Sequence, residues 1–133
     1  MTYTIDETPY GLRVSFDGMM GEEDARRFRG DFLRTLEAVA GPISILIDLR
    51  KGQPISPRSQ EIVADCYRAV TEKGLVRSAN LVSSALMKLQ MVRRAREMGT
   101  YDRARYVDAS AGPRCEQIAV DWLEKGLDPD DAA

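Results

Sequence analysis

Histidine is absent from the 133-residue sequence. Ser-His-Asp and Cys-His catalysis need an imidazole base, and the usual zinc enzymes need imidazole ligands, so these chemistries are excluded or disfavoured. Cysteine is nearly absent too. Cys66 and Cys115 are far apart and follow no metal or redox spacing, which fits small buried thiols in a reducing compartment rather than a disulfide framework. No apolar run reaches membrane-spanning length, and Met1–Asp6 lacks the basic start and apolar centre of a signal peptide. A cytoplasmic setting with no transmembrane segment is expected. Excess positive charge is lacking as well: the net charge is −2, which argues against DNA or RNA as the main partner. There is no repeat, linker or low-complexity tract, and no motif asks for a cofactor or a metal.

What is present is a soluble globular composition, 44% apolar and 30% charged, at the length of one domain. Its organising stretch is Ile43–Arg58. Ile43–Leu49 carries Ile at every second position and is apolar on both faces, which predicts a central strand covered by helices on each side. A polar exit over Arg50–Ile55 leads to Ser56-Pro57, an N-cap hydroxyl followed by proline at the first helical position. A buried strand thus feeds a helix N-terminus where sites form in open α/β sheets.

Before it, Thr2–Glu7 and the alternating Leu12, Val14 and Phe16 flank a Pro9/Gly11 turn, predicting an antiparallel hairpin at a sheet edge. A first helix begins at Gly21-Glu22-Glu23-Asp24, buries Ala25, Phe28, Phe32, Leu36 and Val39, and stops at Gly41-Pro42. After Pro57 a second helix runs to about Lys73, burying Ile62, Val63, Cys66, Tyr67 and Val70. Val76–Val82 is a fourth strand, Ser83 or Ser84 caps a third helix ending near Gly99, Arg105–Asp108 is a fifth strand, and a last helix buries Ile118, Ala119, Trp122 and Leu123. The order ββαβαβαβα predicts an α/β fold: a single, mainly parallel five-stranded sheet with flanking helices and an antiparallel edge strand. Residues 1–126 form the domain; Leu127–Ala133, acidic and Pro-containing, is expected to be a frayed tail.

The pattern resembles the STAS domains, especially the bacterial branch similar to the sporulation anti-sigma-factor antagonist, and distantly the lipid-carrying CRAL-TRIO fold. The resemblance spans nearly the whole chain in element order and is carried by ILIDLRKG, by ANLVSSALMKLQMVRRA and by RYVD followed by a helix. It implies a regulatory domain whose second helix starts at a serine that is phosphorylated to break a partner complex. The matching stretch is Pro54-Ile55-Ser56-Pro57-Arg58-Ser59: the serine is there, while the family's preceding Asp and following Gly are not.

Four groups are candidates for function. Ser56 is a candidate switch, because phosphate there would meet a helix N-terminus and Arg50, Lys51 and Arg58; the plainer reading is an N-cap. On the third helix, Ala85, Leu89 and Val92 are expected to face the core, leaving Met87, Met91 and Met98, flanked by Lys88, Arg93 and Arg94, as an adaptable contact surface. Met side chains filling core gaps are the plainer alternative. Lys88, Arg93, Arg94, Arg96, Arg103 and Arg105 form the densest basic region, either an anion-binding face or a solvated helix with local pairs. Asp48 and Asp108, at parallel strand ends, are a candidate acid pair, though either could simply cap a loop or pair with an arginine such as Arg50. The leading expectation is a non-enzymatic regulatory or adaptor domain that docks a protein partner, with a homodimer as a further candidate. The alternatives are a carrier of a small apolar or lipid ligand beside the third helix, and a small enzyme using the strand-end carboxylates.

Overall fold

A computed structural model describes residues 1–131. The hairpin strands are β1 (Thr2–Thr8) and β2 (Gly11–Gly18), followed by α1 (Glu22–Ala38), β3 (Ile43–Gly52), α2 (Pro57–Lys73), β4 (Leu75–Val82), α3 (Ala85–Met98), β5 (Ala104–Asp108), a single 3-10 turn and α4 (Cys115–Lys125). The observed order is the expected one. The strands lie side by side in chain order, β1 antiparallel to β2 and every later pair parallel. Gly11 lets the hairpin start flush against the centre: its φ is +142°, and a Cβ there would stand 2.0 Å from the Ser44 carbonyl oxygen of β3.

Because β3 is central, its alternate side chains feed two cores. Ile43 and Ile45 join Leu12, Val14, Phe28, Phe32, Ile62 and Val70 under α1 and α2. Leu46 points the other way, to Ala79, Leu81, Val107, Ala119, Trp122 and Leu123 under α4. On the first face, the Phe28 ring lies 5.2 Å from Tyr3, 4.9 Å from Phe16 and 5.6 Å from Phe32, tying α1 to both hairpin strands. On the second, the Trp122 indole donates to the Ser78 carbonyl at 3.0 Å. Successive right-handed crossovers put α1, α2 and α3 on one face, and α4 returns over the other. Cys66 and Cys115 are free and buried, as expected.

Three expectations are corrected. Tyr67 of α2 and Ile118 of α4, expected inside, are 54% and 40% exposed, because each lies one residue, about 100°, off the buried stripe that Cys66 and Ala119 mark. The third helix is rotated relative to its expected face: Ala95 is its buried residue, Met87, Met91 and Val92 are half-buried, and Leu86, Leu89 and Met98 are 65%, 67% and 67% exposed. At roughly 100° per residue Ala95 lies between Met91 and Lys88 on the wheel, so the small residue marks where the helix backbone nears the sheet and the larger leucines turn outward. The tail is not frayed over its described part. Asp128 forms a two-pronged ion pair with Arg105, at 2.7 and 2.9 Å, and Asp130 accepts from Lys88 Nζ at 2.8 Å and from the Tyr101 hydroxyl. Alternating acids in the tail meet cations already fixed on β5 and α3. Ala132 and Ala133 of that tail lie outside the described residues.

Candidate functional site

The carboxyl ends of β3, β4 and β5 all open on one side of the molecule, where the N-termini of α2 and α3 also start. At α2, Ser56 is the cap: its Oγ accepts from the Ser59 backbone N–H at 3.1 Å and donates to the buried Ser59 hydroxyl at 3.2 Å. Ser56 remains exposed. Its expected basic surround is thinner than the sequence suggests. Arg58 pairs with Glu61 at 3.0 Å, and Arg50 is drawn back to Asp48, leaving exposed Lys51 as the cation of the loop without an ion pair among the described residues.

Asp48 belongs to a charged cluster on the α4 face. Arg50 contacts its carboxylate through Nε at 2.9 Å and Nη2 at 2.7 Å, Arg13 of β2 adds a bond at 3.0 Å, and Glu116 of α4 accepts from Arg13 at 2.8 Å. Burial pushes the Asp48 carboxyl up, but the Arg50 hydrogen bonds and the two guanidinium charges outweigh it and hold the group below its ordinary value. Asp48 is thus the arginine-paired acid that the plainer reading expected. Asp108 does not join it. Asp48, Leu81 and Val107 share one row across the sheet, and Asp108 lies one residue beyond that row, so its side chain leaves by the other face. There it accepts from the Ser110 N–H at 2.9 Å and caps the 3-10 turn.

The basic region resolves mostly into local pairs. Arg105 is buried, its guanidinium 3.9 Å from the Tyr101 ring centre and 4.4 Å from that of Trp122, with Asp128 at its edge. Arg96 stacks on Tyr101 at 4.1 Å, Arg93 reaches Glu97 and Lys88 holds Asp130. Arg94 is exposed and makes no ion pair among the described residues.

On α3, Ser84 caps the start by accepting from the Met87 N–H at 3.1 Å, and Gly99, with φ +74°, ends the helix as Thr100 N–H returns to Ala95 O at 2.9 Å. Of the residues expected to form a contact surface, Met98 and Arg94 lie open, Met87 and Met91 are half-buried, and Lys88 is engaged by the tail. The outward apolar pair is Leu86 and Leu89, which sequence reasoning assigned to the core or passed over. The signal was the position of Ala95, whose small side chain fixes the inward direction and with it the outward one.

Every buried side-chain polar atom among the described residues has a partner, and no group of three Cys, Asp or Glu is placed to hold a metal there. Among the described residues, surface hollows of about 310 and 300 Å³ lie between β1 and α1 and beside Asp108, Gly112, Cys115 and Ile118. Among the described residues no helix is long and apolar enough to cross a membrane.

No protein-family profile matches the chain, and no curated protein does either. Solved structures do. An uncharacterised protein of the DUF3478 family from Shewanella loihica PV-4, described as having a SpoIIAA-like fold, superposes with a TM-score of 0.68 over 92% of this chain and 92% of its own, at 16% identity. The anti-sigma factor antagonist SpoIIAA in its unphosphorylated form superposes with a TM-score of 0.61 over 93% of this chain and 99% of its own, at 15% identity. The chain has the SpoIIAA-like, STAS-type α/β fold that the resemblance implied.

Proposed function

We propose that the chain is a non-enzymatic regulatory or adaptor domain that docks a protein partner through the outer face of α3 and the adjoining carboxyl ends of the strands. The observation that carries this reading is Leu86 and Leu89, 65% and 67% exposed one turn apart, with exposed Arg93 and Arg94 on the following turn. Two leucines left in water beside cations fit a partner surface with an apolar centre and a carboxylate rim. A second copy of the same face fits poorly, because its arginines would meet arginines. Met98 and Arg94 extend the contact towards the helix end, and Met87 and Met91 line its flank. The likeness to an anti-sigma factor antagonist fold supports protein contact as the mode of action, and the free, buried thiols suit a cytoplasmic setting.

Ser56 is the switch in this reading. Its exposed hydroxyl stands at the same end of the sheet as Leu86, and a phosphate on it would face the α2 N-terminus and Lys51. That one of the similar structures is named as an unphosphorylated form supports looking there.

The test is site-specific photo-crosslinking in cells, with the probe at Leu89 and, as control, at Glu124 on α4. A predominant adduct at Leu89 only, weakened by salt and lost with Leu86→Asp, is the expected result. Equal adducts from both positions would overturn the docking surface. For the switch, Ser56→Asp should change affinity for the captured partner about tenfold more than Ser56→Ala, equivalent to about 1.4 kcal/mol; equal behaviour would leave Ser56 a cap alone.

A further inference from the structure

The two edges of the sheet are finished differently. Beside β5 the tail crosses from Arg105, which faces α4, to Lys88 on α3, so Asp128 and Asp130 bracket that edge. Nothing among the described residues covers the outer edge of β1. Thr2–Thr8 is seven residues long, without proline, lysine or a bulge, and every second residue turns an N–H and a C=O outward. Proteins usually blunt such an edge, because it is a template for another strand.

We propose that β1 is a self-association strand, pairing antiparallel with β1 of a second copy about a two-fold axis at Ile5 to make one continuous sheet across a dimer. That register is the one that pairs all seven residues: Thr2 with Thr8, Tyr3 with Glu7, Thr4 with Asp6, and Ile5 with itself. No like charges face each other in it, and each Asp6 meets a hydroxyl. The α1 side is also self-complementary. The hollow between β1 and α1 is lined by Tyr3, Ile5, Asp31, Arg34 and Thr35, and two such hollows would merge across the axis. Asp31 and Arg34, paired within one copy, offer opposite charges to their symmetry mates. The apolar contribution is the Ile5–Ile5 contact, since Ile5 packs on the first core yet stays partly open. A two-fold axis requires a surface to complement itself, and β1 does so where the arginine-bearing face of α3 does not.

Sedimentation equilibrium over a concentration series tests this, with circular dichroism to check the fold of each variant. The wild-type chain is expected to dimerise reversibly. Thr4 is exposed and its hydroxyl bonds the Ser15 hydroxyl across the hairpin at 2.5 Å, so each variant gives up that one exposed hydrogen bond, and the circular dichroism check with Thr4→Ala as reference separates its loss from any change in dimerisation. Thr4→Asp sets two like-charge pairs against Asp6 and should weaken the dimer about tenfold, whereas Thr4→Lys supplies two opposite-charge pairs and should tighten it several-fold. Leu89→Asp should leave the constant unchanged, which keeps this inference separate from the docking face of α3. A wild-type monomer at every concentration would overturn it, and so would a dimer indifferent to both Thr4 variants or broken by Leu89→Asp.

Discussion

Replacing Arg105 by Gln is expected to destabilise the fold by about 2 kcal/mol, read as a lower urea midpoint, because the guanidinium fills the space between two rings and its loss strands Asp128. The same pairing sets a pH dependence. Hydrogen bonds from Arg105 hold the Asp128 carboxyl below the ordinary 3.8, and the arginines around Asp48, overcoming its burial, do likewise there. A carboxyl depressed in the folded state stabilises fully above its unfolded value and loses that contribution as pH falls through the folded one. Stability should therefore begin to drop as pH passes below about 4. Arg105→Gln should flatten the acid limb; an unchanged limb in urea melts at stepped pH would refute the assignment. Burial pushes the Cys66 thiol up to about 11, so it should react slowly with thiol reagents at neutral pH in the folded chain. Little of this was legible in the sequence. That Asp48 would pair with an arginine could be anticipated from Arg50 two residues away, but Arg13, Glu116 and Trp122 are brought in by the topology alone.

At the scale of the element, α2 and α3 separate what sequence reads well from what it reads badly. Ser56-Pro57 and Gly74 fixed α2 because caps are local chemistry: Ser56→Ala should cost about 1 kcal/mol in thermal or urea melts, while Ser56→Asp should retain most of the cap. The rotation of α3 was not readable, since it is amphipathic only weakly and covers the sheet near an edge, where one small residue sets the contact. The expectations that follow are specific. Leu89→Asp should leave the urea midpoint within about 0.5 kcal/mol of wild type, whereas Ala95→Leu, forced between helix and sheet, should lower it by 1–3 kcal/mol, about the usual penalty for overpacking. Met91→Asp, on the half-buried flank, should fall between them.

Across the whole molecule, the fold was legible because its signals repeat: a hairpin, then three strand-helix alternations whose strands carry apolar residues on the faces that helices cover. The docking of the tail was not, as it depends on Asp128 and Asp130 meeting cations that only the folded sheet and α3 position. Ending the chain after Leu127 should raise hydrogen exchange through β5 and the N-terminal half of α3, where Lys88 lies, while β1 to β3 keep their protection; uniform exchange would show that the tail contributes nothing local. The strand order has a consequence of its own. Since each strand lies beside the one made just before it, a nascent chain leaving the ribosome always has the strand it must pair with already outside. The sheet can grow by simple addition during synthesis, with no strand held open for a partner not yet translated.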